Sequence, residues 1–124
     1  MKRNNHIVLG RKGEEEAIRF LKKKGFEIID QNWRFKKYEI DIIAQTNDLL
    51  VFVEVKTRST EKYEQPYEAV TIKKQKHLIE AAEYYLNEKQ LDIETRFDVI
   101  SIIKNGSTQK VKHIPAAFES DILE

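Results

Sequence analysis

Two carboxylates, Asp41 and Glu54, sit inside apolar, β-branched runs where charge is ordinarily unwelcome. The runs are Glu39-Ile40-Asp41-Ile42-Ile43 and Leu50-Val51-Phe52-Val53-Glu54-Val55-Lys56. A carboxylate buried in such a run must find a compensating partner or give up its charge. Side chains alternate along a strand, so Asp41 is expected to share a face with Glu39 and Ile43. By the same rule Glu54 shares one with Leu50, Phe52 and Lys56. A turn centred on Asn47-Asp48 pairs Thr46 with Leu49, and counting outward sets Asp41 opposite Glu54. Directly opposed residues have Cβ atoms about 4.5–5.5 Å apart, where like charges repel. Lys56 neutralises part of that charge, and a divalent cation between the acids does so better. An oxygen-only ligand set suits Mg²⁺ or Mn²⁺, not zinc or copper.

These strands need helices to cover them. Residues 10–25 predict a first helix ending at Gly25, after Lys22-Lys23-Lys24, whose cations suit a helix C-terminus. Glu14 precedes Ala17, Ile18 and Leu21 at helical spacing, so it falls on the apolar stripe as a candidate third acid. Gly13 beside it permits close approach of a backbone or ligand. Residues 68–89 predict a second helix, with Ile72, Leu78, Ile79, Ala82, Tyr85 and Leu86 on its apolar face. Gln75 precedes Leu78, Ile79 and Ala82 at the same spacing, and is either a satisfied core amide or a ligand-orienting group. Strands are expected at 26–30, 38–45, 49–57, 95–103 and 110–114, with a polar loop at 58–67 and a turn at Asn105-Gly106. The order α-β-β-β-α-β-β describes an α+β or α/β sandwich around a mixed sheet.

The chain has 124 residues, enough for one domain with a real core, and residues 1–124 are read as that single domain. Residues 1–9 are expected to form a flexible basic N-terminus, without the apolar stretch of a signal peptide. Hydrophobic content of 40% beside 35% charge excludes a disordered or membrane chain. The absence of cysteine excludes disulfides, zinc-cysteine sites and thiol nucleophiles. His6, His77 and His113 fit no metal or triad spacing, and no glycine-rich phosphate loop is present. A cytoplasmic location is the default expectation. Net charge is only +1, yet basic groups cluster around the acidic runs: Arg34, Lys36 and Lys37 before them, Lys56, Arg58 and Lys74 after. That distribution favours an anionic substrate. Trp33, Phe35 and Tyr38 alternate with the first of these clusters, a pattern that suits nucleic-acid stacking and edge packing equally.

With Asp41 followed by Glu54-Val55-Lys56 at the end of an adjacent strand, the chain resembles the PD-(D/E)xK nuclease superfamily. More narrowly, it resembles the bacterial YraN family, with a likeness to Holliday-junction resolvases. The ordered set that carries the resemblance starts with Gly10, Gly13-Glu14, Ala17, Asn32, Glu39-Ile40-Asp41, Ile43-Ala44, Val51 to Lys56 and Arg58. It continues through Ala69-Val70-Thr71, Lys74-Gln75, Ala82, Tyr85-Leu86 and Arg96-Phe97-Asp98-Val99, spanning roughly residues 10–118. The resemblance implies a restriction-endonuclease-like αβββαβ core, a mixed central sheet flanked by helices, and divalent-metal phosphodiester hydrolysis. Asp41, Glu54 and the Val55 carbonyl would then hold Mg²⁺ or Mn²⁺, and Lys56 would position or deprotonate the attacking water. Glu14 would match the helix-one acid of related resolvases, and Gln75 the polar residue of the second helix. Arg58, Lys74, Gln75, Arg34 and Lys36 would contact nucleic acid, DNA in preference to RNA, such as branched repair intermediates. A homodimer or a helicase-like partner is an expected companion; the alternative is a non-catalytic nucleic-acid-binding or adaptor domain of the same fold. Ile40 stands where the superfamily has proline, Tyr38 where the family has glycine, and Glu64 in place of a loop glycine. These departures bear on loop shape and substrate approach.

Overall fold

The computed structural model describes the backbone of residues 5–59 and 70–120. Its elements are α1 (Asn5–Lys23), β1 (Glu27–Phe35), β2 (Tyr38–Thr46), β3 (Leu49–Arg58), α2 (Ile72–Lys89), β4 (Glu94–Asn105) and β5 (Thr108–Phe118). They form one five-stranded sheet in the order β1-β2-β3-β4-β5, antiparallel except for the parallel β3–β4 pair. A parallel pair needs a crossover, and α2 supplies it. The expected mixed sheet with the order αβββαβ is therefore the observed one. Most of the polar loop expected at 58–67, with Pro66 and Glu64, lies outside the described residues.

Each helix covers one face of the sheet. Ala17 and Leu21 of α1 pack with Ile42, Ala44, Val51, Val53, Ile100 and Ile102. Leu78, Ile79, Ala82 and Tyr85 of α2 pack on the opposite face with Trp33, Ile40, Ile43 and Phe52. Because both faces of the central strands are buried, their sequences read as nearly unbroken apolar runs.

Gly13 brings α1 against the end of β3. A Cβ there would fall well inside contact distance of Thr57 Oγ1 and crowd the Thr57 Cβ at 3.1 Å. At the other end of the helix Gly25 takes φ 95, as expected of a residue that ends a helix, and Phe26 N–H donates to Leu21 O at 3.0 Å.

Several boundaries differ from the sequence reading. Helix α1 begins at Asn5 instead of residue 10, so residues 5–9 are helical backbone. Helix α2 starts at Ile72 instead of 68, because Thr71 caps it: its Oγ1 accepts from Lys74 N at 3.1 Å. Ile72, placed on the apolar face by spacing, is 56% exposed, whereas Val70 just outside the helix is buried. Strand β1 runs on to Phe35 because Trp33 and Phe35 follow the strand toward α2, despite polar Gln31 and Asn32.

Strand β5 likewise passes Pro115 to reach Phe118, held there by a buried acid on β4. Asp98 is fully buried, and its oxygens accept from Arg96 Nε and Nη2, both at 2.8 Å, and from Ala116 N at 3.0 Å. The His113 ring adds a bond at 2.7 Å through Nε2, while its Nδ1 accepts from Lys24 Nζ at 3.1 Å. Ala116 takes φ 51 where the β4–β5 register slips, and the Asp98 carboxylate replaces the backbone partner lost at that bulge. Burial alone would raise the Asp98 pKa, but the bonds from His113, Arg96 and Ala116 overcome it and hold it below 3.8.

Two stability outcomes follow. Gly13→Ala is expected to cost about 1–3 kcal/mol through overpacking, and Thr57→Ala in the same chain should recover much of it in a double-mutant cycle of urea denaturation. Asp98→Asn should cost about 3–5 kcal/mol near neutral pH by breaking a buried ion pair. Because the folded carboxylate titrates below its unfolded value, its contribution is present above pH 3.8 and lost as pH falls through the lowered value. Thermal melts from pH 2 to 7, on the order of that acid range, should therefore converge for wild type and variant at the acid end.

Candidate metal site at the β2–β3 junction

The register counted from the sequence holds through most of the hairpin. Asn47 takes φ 52 in the turn, and the pairs run from Thr46↔Leu49 to Ile42↔Val53. The ladder stops one step short of pairing Asp41 with Glu54. There the Asp41 side chain takes over: Oδ2 accepts from Val55 N at 2.9 Å. The expected alternation also breaks at this point. Ile43 and Ile40, three residues apart, both face α2, whereas Ile42 faces α1. A regular strand would put Ile40 with Ile42. On the neighbouring strand Asn32, between the paired Gln31 and Trp33, takes φ 51. The sheet is dislocated along this line, so Asp41 does not simply share a face with Glu39 and Ile43. Its carboxylate reaches across to the backbone of β3.

Glu54 lies on the α2 side of β3, in phase with Leu50 and Phe52, and is only 7% exposed. Lys74 of α2 lies beside it, Nζ to Oε1 3.8 Å. Burial, then the charge of Asp41, pushes the Glu54 pKa up to about 7, with Lys74 and Lys56 opposing. Asp41 is also raised, first by burial and then by Glu39, against the bond from Val55 N and the charges of Lys74 and Lys56. Two adjacent acids pushed toward protonation, Asp41 by burial and Glu39, Glu54 by burial and Asp41, mark a position that favours an added cation.

The structure spaces the remaining candidates around this pair. Lys56 is half-buried and lies on β3 beside Ser101 of β4. Gln75 is engaged as a satisfied amide: its Nε2 donates to Val70 O at 3.0 Å, fixing the segment that enters α2. Arg58, the last residue of β3, is half-buried. Glu14 follows Gly13, which packs on Thr57, so Glu14 stands on the α1 side near the end of β3. Arg34 reaches Glu39 at 3.4 Å, and Lys36 lies over the Phe35 ring, both on the β1–β2 hairpin. Among the described residues, no three His, Cys, Asp or Glu side chains gather as a metal-holding group. The acidic centre is thus a pair of carboxylates. That composition suits Mg²⁺, which dehydrates reluctantly and is commonly bound by one or two carboxylates together with substrate phosphate.

One polar group escaped the sequence reading. Ser101 is buried and its Oγ has no hydrogen-bond partner. It follows Phe97 and Val99 at strand spacing, which puts it on the α2 side, next to Lys56 by the parallel register. Only the β3–β4 pairing reveals that neighbourhood, and no local signal in the sequence encodes it.

An α+β domain with this element order and mixed sheet has a restriction-endonuclease-like core. The chain belongs to the uncharacterised protein family UPF0102, whose profile matches residues 13–102, in agreement with the YraN-like resemblance of its sequence. It is 45% identical over 113 residues to a UPF0102 protein of Christiangramia forsetii, covering 91% of this chain and 95% of that one. A UPF0102 protein of Caldicellulosiruptor saccharolyticus is 48% identical over 102 residues, 82% of this chain and 86% of the relative. One from Syntrophotalea carbinolica is 43% identical over 116 residues, 93% and 94% of the two chains. Among the described residues, no helix is long and apolar enough to cross a membrane.

The raised acids give a pH prediction. A carboxylate whose folded pKa exceeds its unfolded value destabilises the fold as pH rises between the two, here from 4.5 to about 7 for Glu54. Glu54→Gln is therefore expected to melt higher than wild type above pH 7 in EDTA, the difference vanishing below pH 4.5. The gain has a ceiling of about 3 kcal/mol. A variant less stable than wild type at every pH would contradict this account of the acidic pair.

Proposed function

We propose that this protein is an endonuclease dependent on Mg²⁺ or Mn²⁺ that hydrolyses phosphodiester bonds in DNA. The observation that carries the reading is the pair of half-buried Asp41 and buried Glu54, both raised by burial, Asp41 also by Glu39 and Glu54 also by Asp41, with Lys56 and Lys74 opposing. The Asp41 and Glu54 carboxylates and the Val55 carbonyl would hold the ion. When bound, such an ion supplies water activation and charge stabilisation at the leaving oxygen. Val55 N–H fixes the Asp41 carboxylate for that task, and Lys74 does the same for Glu54 more loosely. Lys56 orients or deprotonates the attacking water and offsets charge on the scissile phosphate. Arg58, Lys74, Arg34 and Lys36 supply positive charge to the flanking phosphates. Gln75 acts from the head of α2, and Glu14 approaches from α1. Branched repair intermediates are the substrates favoured by the resolvase likeness, with a second copy of the chain or a helicase-like partner extending a small footprint.

Purified protein with Mn²⁺ is expected to nick branched, flapped or single-stranded DNA. Asp41→Ala and Glu54→Ala should lower the rate at least about 100-fold, and Lys56→Ala by about 10²–10⁴, the range for a lost acid–base group. Mn²⁺ should raise the melting temperature of wild type and leave both acid variants unmoved. If DNA binding survives EDTA and Asp41→Ala, and nothing is cut, the protein is a nucleic-acid-binding or adaptor domain instead.

A further inference from the structure

The aromatic residues around the β1–β2 hairpin form a connected series that the proposed reaction does not use. Phe35 lies 5.0 Å from Tyr84 of α2, and Tyr84 lies 5.1 Å from Tyr38, measured between ring centroids. Tyr38 in turn lies 4.8 Å from His77. His77 is one helical turn from Lys74, whose ammonium touches Glu54. The series thus starts at the acidic pair and runs along α2 to the tip of the hairpin.

Two properties separate this series from ordinary core packing. First, its outer rings face solvent: Phe35 is 37% exposed and Tyr84 40%. Clefts of about 560 and 540 Å³ flank Tyr84, the second also lined by Phe35. Second, cations ride on the rings. Lys36 Nζ lies 5.3 Å from the centroid of Phe35, and Lys37 Nζ 5.6 Å from that of Tyr38. Exposed ring faces accept bases of any sequence, and lysines beside them meet the phosphates.

The acids nearby set the orientation. Glu80 is engaged by the Tyr38 hydroxyl at 2.7 Å, and Glu39 by Arg34. Glu83 and Asn87 line the cleft beside Tyr84, and Glu88 the one it shares with Phe35, and these would repel or ignore a phosphate. They can, however, accept from the N–H donors of a base edge, thymine N3–H included. Bases therefore point into the clefts while the backbone follows Lys36 and Lys37.

We infer that the exposed Phe35 and Tyr84 rings, backed by buried Tyr38 and by His77, form a stacking track for single-stranded DNA, leading an unpaired strand to the Asp41–Glu54 pair. This rests on the DNA-cleaving reading above and narrows it: the substrate carries an unpaired segment beside the scissile bond. Paired bases cannot offer their faces to the rings, so a blunt duplex is a poor ligand.

The test uses the full chain in EDTA at low salt, with labelled oligothymidylate read by anisotropy. The chain's one tryptophan, Trp33, stacks 6.2 Å from Phe35 and provides a second signal. Phe35→Leu and Tyr84→Leu keep apolar bulk at exposed positions while removing the ring, so both variants should fold. Each is expected to weaken oligothymidylate binding roughly 5- to 100-fold. Oligothymidylate should quench or shift Trp33 fluorescence. Equal affinity for blunt duplex, tighter binding of oligouridylate, or unchanged binding by both ring variants would overturn the track. So would ring variants that alter only self-association, which would make this face a contact between copies. If no DNA is cut but ring-dependent binding holds, the nuclease reading falls and the track stands. Cleavage that ignores the ring variants gives the reverse.

Discussion

The hydrogen bond from Val55 N–H to the Asp41 carboxylate, 2.9 Å long, is where the fold and the candidate site become one structure. A β-ladder that stops inside a sheet leaves a backbone donor without its partner, and such a donor must be satisfied when buried. Here a side chain satisfies it. The substitution holds Asp41 beside β3 even though the two strands no longer pair, and it lets β2 turn over so that Ile40 and Ile43 both reach α2. Without it, the dislocation would leave Val55 N–H unpaired and the two acids free to separate.

The burial that drives both acids upward comes from elsewhere in the sheet. Strand β4 pairs with β3 along its whole length, and β5 is fastened to β4 by the Asp98 cluster. Helix α2 closes the same face, presenting Lys74 to Glu54. Carboxylates therefore experience opposite environments within one sheet. Asp98 has four donors and is held ionised. Asp41 and Glu54 have each other and too few donors. The proposed metal ion would relieve that imbalance.

Much of this was legible in the sequence. Apolar β-branched runs interrupted by Asp41 and Glu54 announced two central strands, and Asn47-Asp48 set their register correctly as far as Ile42 and Val53. Helical spacing located α1 and α2, and the order of elements gave the fold class. What stayed hidden depends on contacts between distant parts of the chain. Strict alternation could not show the dislocation at Asp41, because its cause lies partly on β1 at Asn32. The strand expected at 110–114 stopped short of Phe118, since the anchor for Ala116 is Asp98, eighteen residues away. Ile72 matched the helical stripe yet sits in the first turn, where Thr71 rather than apolar contact fixes the helix. Ser101 and Lys56 meet only because β3 and β4 run parallel.

The division of labour between local and distant contacts shapes how the chain reaches its native state. Asp41 and Glu54 belong to one hairpin with a two-residue turn, so their spacing is set by short-range closure. Their burial waits for β4, which pairs with β3 only after the whole of α2 has been traversed. Contacts of large sequence separation form at greater entropic cost and slow folding. The charge penalty of the acidic pair therefore falls on the late docking of α2 and β4, and little of it on the hairpin. Neutralising Glu54 in the absence of metal is therefore expected to slow unfolding more than it speeds folding, which paired folding and unfolding rates would check.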